Sequence, residues 1–244
     1  MAVTIWRFIH IYILYVVICS IFLISSYKIL RRDVNNRLNQ LLSTFLILIS
    51  FSMISNFIYA SFSEPSLEPA AVLLHILSMY LISFSLAFLL LFNLTLYNPE
   101  SSITKTSNQI IFLSLYSIIS LVLFFIPNGI KIEILYDGTQ SYPVWSFLFF
   151  LYYLIIFIPP MIYSLIICMK IYKKFSSKRL AKRMRLFILG ILCFYYIGLM
   201  VCLTNYLNID FLRNIFTLTG FLAIIGVFLI YFSVGKSLNQ PYEI

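Results

Sequence analysis

The side chains of this chain that could recognise another molecule are a few polar and aromatic residues within long apolar stretches. Asn56, His75, Trp145, Tyr152 and Asn205 are predicted to converge at one depth, near one end of the helices that carry them. Their imidazole, carboxamide, indole and phenol groups form hydrogen bonds without carrying a net charge. Two interpretations remain open. These groups form a small-molecule pocket open to the outside, or they make ordinary hydrogen bonds between helices.

Patterns that would indicate catalysis or metal binding are not found in the sequence. The two histidines lie in separate apolar stretches, so no HExxH motif is present, and no serine occurs in a nucleophile-elbow context. The four cysteines also lie in apolar stretches and form no CxxC pair. We therefore expect no enzymatic activity, no bound metal and no cofactor.

The composition is that of an integral membrane protein. Hydrophobic residues make up 62% of the chain and charged residues 10%, with a mean hydropathy of +1.00, whereas soluble domains contain about 25% charged residues. The charges separate seven apolar stretches, each long enough to cross the hydrocarbon core of a bilayer. We predict a single all-α domain, residues 1–244, that forms a seven-helix bundle in the lipid bilayer, with spans at about 8–27, 40–61, 70–96, 109–126, 144–169, 186–207 and 213–235.

Apart from Arg213, the first residue of the last predicted span, the charged residues lie outside the predicted spans, which disfavours several membrane functions. Pumps, ion-coupled carriers and voltage sensors need charged side chains inside the membrane. The net charge of +9 is explained by cytoplasmic connectors, so no nucleic-acid partner is expected.

The basic residues predict the orientation of the chain. Residues 170–185 hold eight of its seventeen Lys and Arg residues, and basic connectors remain on the cytoplasmic side of a membrane. With the amino terminus outside, fourteen of the seventeen lie inside and only Arg7, Lys131 and Arg213 lie outside. The carboxyl terminus of this multi-pass protein of the cell membrane is then cytoplasmic.

The same basic stretch is a candidate interaction surface. It could contact anionic lipid headgroups or a cytoplasmic protein, or serve orientation alone. The apolar residues Phe175, Leu180 and Met184 among the cations could dock on the membrane or in a protein groove. The cations assigned to this surface are Lys173, Lys174, Lys178, Arg179, Lys182, Arg183 and Arg185.

A possible β-hairpin lies between the fourth and fifth spans. Residues 130–134 alternate apolar and charged side chains, and Asp137 with Gly138 suits a two-residue turn. We predict that the hairpin covers the outer mouth of the bundle; the alternative is an irregular loop.

Two features predict how particular helices bend and pack. Pro159 and Pro160 remove two amide donors from the fifth span and should kink it, making it a candidate flexible point. Gly190 and Gly198 in the sixth span should allow a neighbouring helix to approach closely.

Several segments together resemble a known family. They are Tyr-Pro-Val-Trp at residues 142–145, the tyrosine-rich fifth span, the basic connector at residues 176–185 that leads into Leu189 and Gly190, and the closing segment at residues 230–236. This layout is similar to the amino-terminal seven-transmembrane sensor region of histidine kinases and related bacterial and archaeal receptors. The resemblance implies a membrane sensor for an unknown ligand. Because the sequence given ends at Ile244, soon after the last span, it also implies a separate cytoplasmic signalling partner.

Other function classes remain alternatives to the sensor. A small-solute transporter or a non-catalytic membrane assembly subunit fits the same composition. G-protein-coupled receptors share the span count and orientation, but the inner end of the third span reads Leu-Thr-Leu-Tyr at residues 94–97, where those receptors carry Asp-Arg-Tyr.

Overall fold

A computed structural model describes residues 13–60, 62, 65–134 and 141–235. Its α-helices, in chain order, are α1 (Tyr15–Leu30), α2 (Arg37–Ala60), α3 (Glu68–Tyr97), α4 (Thr106–Leu121), α5 (Phe147–Lys174), α6 (Lys178–Leu207), α7 (Asp210–Thr219) and α8 (Leu222–Gly235). Strands β1 (Ile130–Ile134) and β2 (Ser141–Trp145) separate α4 from α5, and short 3-10 helices occur at Pro65–Leu67, Ser102–Thr104 and Val122–Phe125. The described residues therefore form a helical bundle with one pair of strands.

The long helices make this a multi-pass membrane protein by length and composition. Among the described residues, six helical segments are long and apolar enough to cross a membrane: Arg37–Ala60, Glu68–Tyr97, Thr106–Phe125, Phe147–Lys174, Lys178–Leu207 and Asp210–Val234. Helix α1 is apolar but shorter, at 16 residues. Residues 8–12, where the first span is predicted to begin, lie outside the described residues, as do Arg7 and the end of the chain from Lys236.

Six helices close a ring. Helix α1 packs on α2, α2 on α3, α3 on α5, α5 on α6, α6 on α8, and α8 again on α1. Helix α4 lies outside this ring and packs mainly on α3. Only 17% of the residues in its apolar stretch are buried, against 50% for α2 and for α3. Most of its side chains are therefore apolar and exposed, as is typical of a helix that faces lipid.

Several helix boundaries differ from the predicted spans. Helix α5 begins at Phe147 rather than at residue 144, and it continues to Lys174, while α6 begins at Lys178 rather than at residue 186. Charged residues are costly in hydrocarbon, but lysine and arginine are good helix formers, so a helix continues past the membrane through them. The last predicted span comprises α7 and α8, which meet at Gly220 and Phe221.

The two strands pair antiparallel and place alternate residues in the core. Ile130 lies opposite Trp145 and Ile132 opposite Pro143, and all four side chains are buried. Lys131 and Glu133, which alternate with them in β1, are exposed, as expected where side chains alternate between the two faces of a strand pair. Asp137 and Gly138, the predicted turn, lie outside the described residues. The end of the bundle next to these strands is called the strand end, and the opposite end, which carries residues 170–185, the basic end.

The predicted close approach at Gly190 is confirmed. A Cβ atom at Gly190 would lie 2.8 Å from the carbonyl oxygen of Gly226 and 2.8 Å from Cγ1 of Ile230, so α6 and α8 cross with their backbones nearly in contact. Gly198 is similarly close to α5, because a Cβ there would overlap the ring of Phe157. Both glycines therefore fit the pattern of small residues where membrane helices cross.

We expect Gly190→Ala to lower stability, although alanine is the better helix former by about 1 kcal/mol. The new methyl group meets a backbone carbonyl that cannot rotate away, and such overpacking costs about 1–3 kcal/mol. The thermal unfolding midpoint of the purified protein in one lipid mixture measures the effect. Leu189→Ala is the control, because Leu189 is adjacent to Gly190 in the chain but is exposed and lies outside the crossing. A Gly190→Ala protein as stable as wild type would contradict the crossing.

Candidate functional site

The centre of the candidate site is a buried hydrogen bond between α3 and β2. His75 and Trp145 are 1% and 3% exposed. The indole Nε1–H of Trp145 donates to Nε2 of His75 over 2.9 Å. Because Nε2 accepts this bond, it carries no hydrogen, and His75 is a neutral imidazole whose hydrogen lies on Nδ1.

Two buried polar atoms at this depth have no hydrogen-bond partner within the described part of the chain. They are Nδ1 of His75 and Oδ1 of Asn56. The Ser52 and Ser78 hydroxyls, 2.7 Å apart, align α2 with α3. Asn56 lies one turn beyond Ser52 and His75 about one turn beyond Ser78, so both occupy the facing sides of these helices at similar depth. Nδ1 of His75 is a hydrogen-bond donor and Oδ1 of Asn56 is an acceptor.

Aromatic rings surround the Trp145–His75 pair. The Tyr59 ring meets the imidazole edge-on, with centroids 5.2 Å apart. On the other side, the indole packs against Phe149 at 5.0 Å and Tyr153 at 5.3 Å. The surroundings are thus largely apolar and contain few hydrogen-bonding groups, a composition that is typical of the lining of small-molecule sites.

Two of the residues assigned to this site from the sequence are placed differently. The Tyr152 hydroxyl donates to the carbonyl oxygen of Ile119 over 2.7 Å, at the end of α4, where the N–H of Val122 bonds the same carbonyl. Asn205 is buried near the end of α6, the helix that packs against β2. No hydrogen bond joins Asn205 to His75 or Trp145 among the described residues.

Tyr153, rather than Tyr152, is the tyrosine of α5 at the site. A signal for it exists in the sequence, because Phe149, Tyr153 and Phe157 recur at every fourth position within α5. Residues four apart share one side of a helix, and the rings of Tyr153 and Phe157 do stack with centroids 5.5 Å apart. Tyr59 carried no comparable signal among the chain's eighteen tyrosines.

Helix α5 runs unbroken through both prolines. Pro160 has no N–H, which leaves the carbonyl of Ile156 without its usual helical donor. The hydroxyl of Tyr116 on α4 donates to that carbonyl over 2.7 Å. The peripheral helix α4 thereby supplies the hydrogen bond that the proline removes.

At the basic end, two of the cations hold neighbouring helices together. Nζ of Lys174 lies 3.9 Å from the ring centroid of Tyr97 at the end of α3. Nε of Arg185 donates to the Tyr172 hydroxyl over 2.8 Å, joining the start of α6 to the end of α5. Such contacts between cations and tyrosines stabilise the packing of the helix ends.

The remaining basic surface is largely exposed. Of the three apolar residues predicted to dock, Leu180 is exposed, Met184 is buried and Phe175 packs partly against the core. The expectation that Met184 docks on another surface is therefore wrong; the helix turns that side chain inward. Arg183 is half-buried, and the exposed cations of this surface are Lys173, Lys174, Lys178, Arg179, Lys182 and Arg185.

A polar cluster fastens the strands to the end of α6. Arg213 of α7 lies 4.2 Å from the ring centroid of Tyr142 and donates to Oδ1 of Asn208 over 2.8 Å. Asn208 in turn donates to the Glu133 carboxylate over 3.3 Å. Partial burial, and then the hydrogen bond and charge of Glu133, raise the pKa of Tyr142, while Arg213 opposes them.

Comparison with known proteins gives no identification. No family model matches the chain, and no curated protein matches it.

Among the described residues, no group of three or more His, Cys, Asp or Glu side chains is arranged to hold a metal ion.

The bond from Tyr116 to Ile156 gives a test of the proline site. Tyr116→Phe should destabilise the protein by about 1 kcal/mol, because the carbonyl opposite Pro160 loses its donor. In a Pro160→Ala background, where the alanine N–H serves that carbonyl, the same change should have little effect. Thermal unfolding of the four proteins measures the coupling, with Tyr163→Phe on the exposed side of α5 as control. Equal effects of Tyr116→Phe in both backgrounds would show that the two groups are not coupled.

Proposed function

We propose that this chain is a seven-span membrane sensor that binds a small uncharged ligand between His75, Asn56 and Trp145. The observation that carries the proposal is the pair of buried atoms, His75 Nδ1 and Asn56 Oδ1, that lack hydrogen-bond partners in the described residues. Leaving such groups unpaired costs about 1–3 kcal/mol each. A ligand with one acceptor and one donor would satisfy both.

The proposed ligand is neutral because the site is neutral. His75 accepts a hydrogen bond at Nε2 and so is uncharged, and the neighbouring rings contribute no formal charge. A charged ligand would be buried there without a counterion, which is strongly unfavourable. Primary amides and alcohols with a short apolar part have the required donor and acceptor.

The proposed orientation places the strand end outside and the basic end in the cytoplasm of the cell. It rests on the excess of Lys and Arg at the basic end, which membrane insertion retains inside. The first of the seven proposed spans contains α1. The resemblance to the sensor region of histidine kinases agrees with this arrangement.

A continuous row of packed rings could carry a change at the site to the basic end. Trp145 contacts Tyr153, Tyr153 stacks on Phe157, and Phe157 lies against Gly198 of α6. Helix α6 begins at Lys178, within the basic surface. A ligand that moves the indole would therefore press on the helix that presents these cations to a cytoplasmic signalling protein or to anionic lipid. Such a shift requires that the ligand bind one arrangement more tightly than the other.

Ligand binding can be followed by the fluorescence of Trp145. Trp6→Phe leaves Trp145 as the one tryptophan of the two in the chain, and propionamide serves as the probe. We expect a saturable change in emission at millimolar propionamide, which Asn56→Leu and His75→Ala abolish. N,N-dimethylacetamide, which lacks a donor, should have a weaker effect.

Ser55→Ala is the matched control for these variants. Ser55 is buried beside Asn56, but its hydroxyl bonds the carbonyl of Phe51 in its own helix, so the response should persist. A collapse of folded yield in both Asn56→Leu and His75→Ala would make these residues structural. Net uptake of the probe into proteoliposomes would indicate a carrier instead of a sensor.

The orientation is tested by thiol labelling in intact cells. Lys131 at the strand end and Lys178 at the basic end are both exposed. Lys131→Cys and Lys178→Cys therefore place one thiol on each side of the proposed membrane. A membrane-impermeant maleimide should label the first in intact cells, and the second only after permeabilisation. The wild-type chain, whose cysteines are buried or half-buried, gives the background. The reverse pattern of labelling would refute the orientation.

A further inference from the structure

A second polar cluster lies in the core, separate from the His75 site. Asn93 of α3 and Ser164 of α5 are 0% exposed, and Tyr195 of α6 is 3% exposed. Nδ2 of Asn93 donates to the hydroxyl of Ser164, and the Tyr195 hydroxyl lies beside the same serine. Asn93 follows His75 by five helical turns, so the two clusters are about 27 Å apart along one side of α3.

Two atoms of this cluster lack a hydrogen-bond partner among the residues that the structure describes. They are Oδ1 of Asn93 and the hydroxyl oxygen of Tyr195. Both belong to residues that lie against Ser164, Asn93 through its amide nitrogen and Tyr195 through its hydroxyl. The large majority of buried polar side-chain atoms in proteins have a partner, which is either another protein group or an ordered water.

The chemistry of the cluster restricts what could bridge these atoms. The charged residues of α3, α5 and α6 lie towards the ends of the helices, so an ion in the core would have no counterion. An apolar molecule would satisfy neither atom. A bridging molecule must be neutral, must donate to the amide oxygen of Asn93 and must also bond a phenol, and water is the smallest molecule that does so.

We propose that Asn93, Ser164 and Tyr195 form a buried water site that joins α3, α5 and α6. The water donates one hydrogen to Oδ1 of Asn93 and accepts from, or donates to, the Tyr195 hydroxyl. It thereby links three helices of the closed ring through hydrogen bonds that can be remade when one helix shifts. This site does not depend on ligand binding at His75.

The sign of the effect of Tyr195→Phe tests the proposal. If water bridges the two atoms, removing the phenol oxygen breaks the bridge and should lower the unfolding midpoint by about 2–4 °C. If the hydroxyl is simply unpaired, its removal should leave the midpoint unchanged or raise it, and the proposal fails. Tyr163→Phe, an exposed tyrosine next to Ser164, is the matched control and should have no effect.

A double substitution tests whether the bridge reaches Asn93. In an Asn93→Leu background, which lacks the amide oxygen, Tyr195→Phe should no longer lower the midpoint. An undiminished effect of Tyr195→Phe in that background would overturn the assignment of Asn93. If Asn93→Leu does not fold, a cryo-electron microscopy map of the wild-type protein decides the question. Density within hydrogen-bonding distance of both atoms supports the site, and a direct bond from Tyr195 to Asn93 refutes it.

Discussion

The rest of this structure depends on one constraint, which is that polar groups inside a lipid bilayer must find partners within the protein. Helices satisfy their own backbones, and several buried hydroxyls bond the preceding turn of their own helix, as Ser50 does to Leu46 and Ser83 to Met79. Where a helix cannot satisfy its backbone, a tyrosine of a neighbouring helix does so. Tyr116 does so for the carbonyl opposite Pro160, and Tyr152 adds a second donor to the Ile119 carbonyl at the end of α4.

The same constraint gives meaning to the few polar atoms that remain unpaired in the described residues. Four of them form two pairs, each with atoms from two different helices: Asn56 with His75, and Asn93 with Tyr195. One pair lies beside the Trp145–His75 bond and the other beside Ser164.

The sequence predicts the helical bundle well because apolar length is a direct requirement of the membrane. It also identifies Gly190, since only a residue without a side chain permits such a crossing. It could not decide between Tyr152 and Tyr153, because adjacent residues point about 100° apart on a helix and both are tyrosine. Only the fourfold spacing of Phe149, Tyr153 and Phe157 along α5 distinguishes the two tyrosines.

The basic stretch shows a different limit of the sequence. Its charges indicate where a helix leaves hydrocarbon, and they do not indicate where the helix ends. Lys174 and Lys178 are both helical, and the turn between them is short. The role of Met184 could not be read from its charged neighbours either, because it depends on which side of α6 faces the core.

The short turn between α5 and α6 has a mechanical consequence. With Arg185 bonded to Tyr172 across it, the end of α5 and the start of α6 are joined, and the distance over which a tilt of α5 is magnified is the length of that helix. At 28 residues, that distance is about 42 Å. A tilt of α5 by about 2° would then move its far end by about 1.5 Å, within the range of about 1–2 Å over which helices shift in known switches.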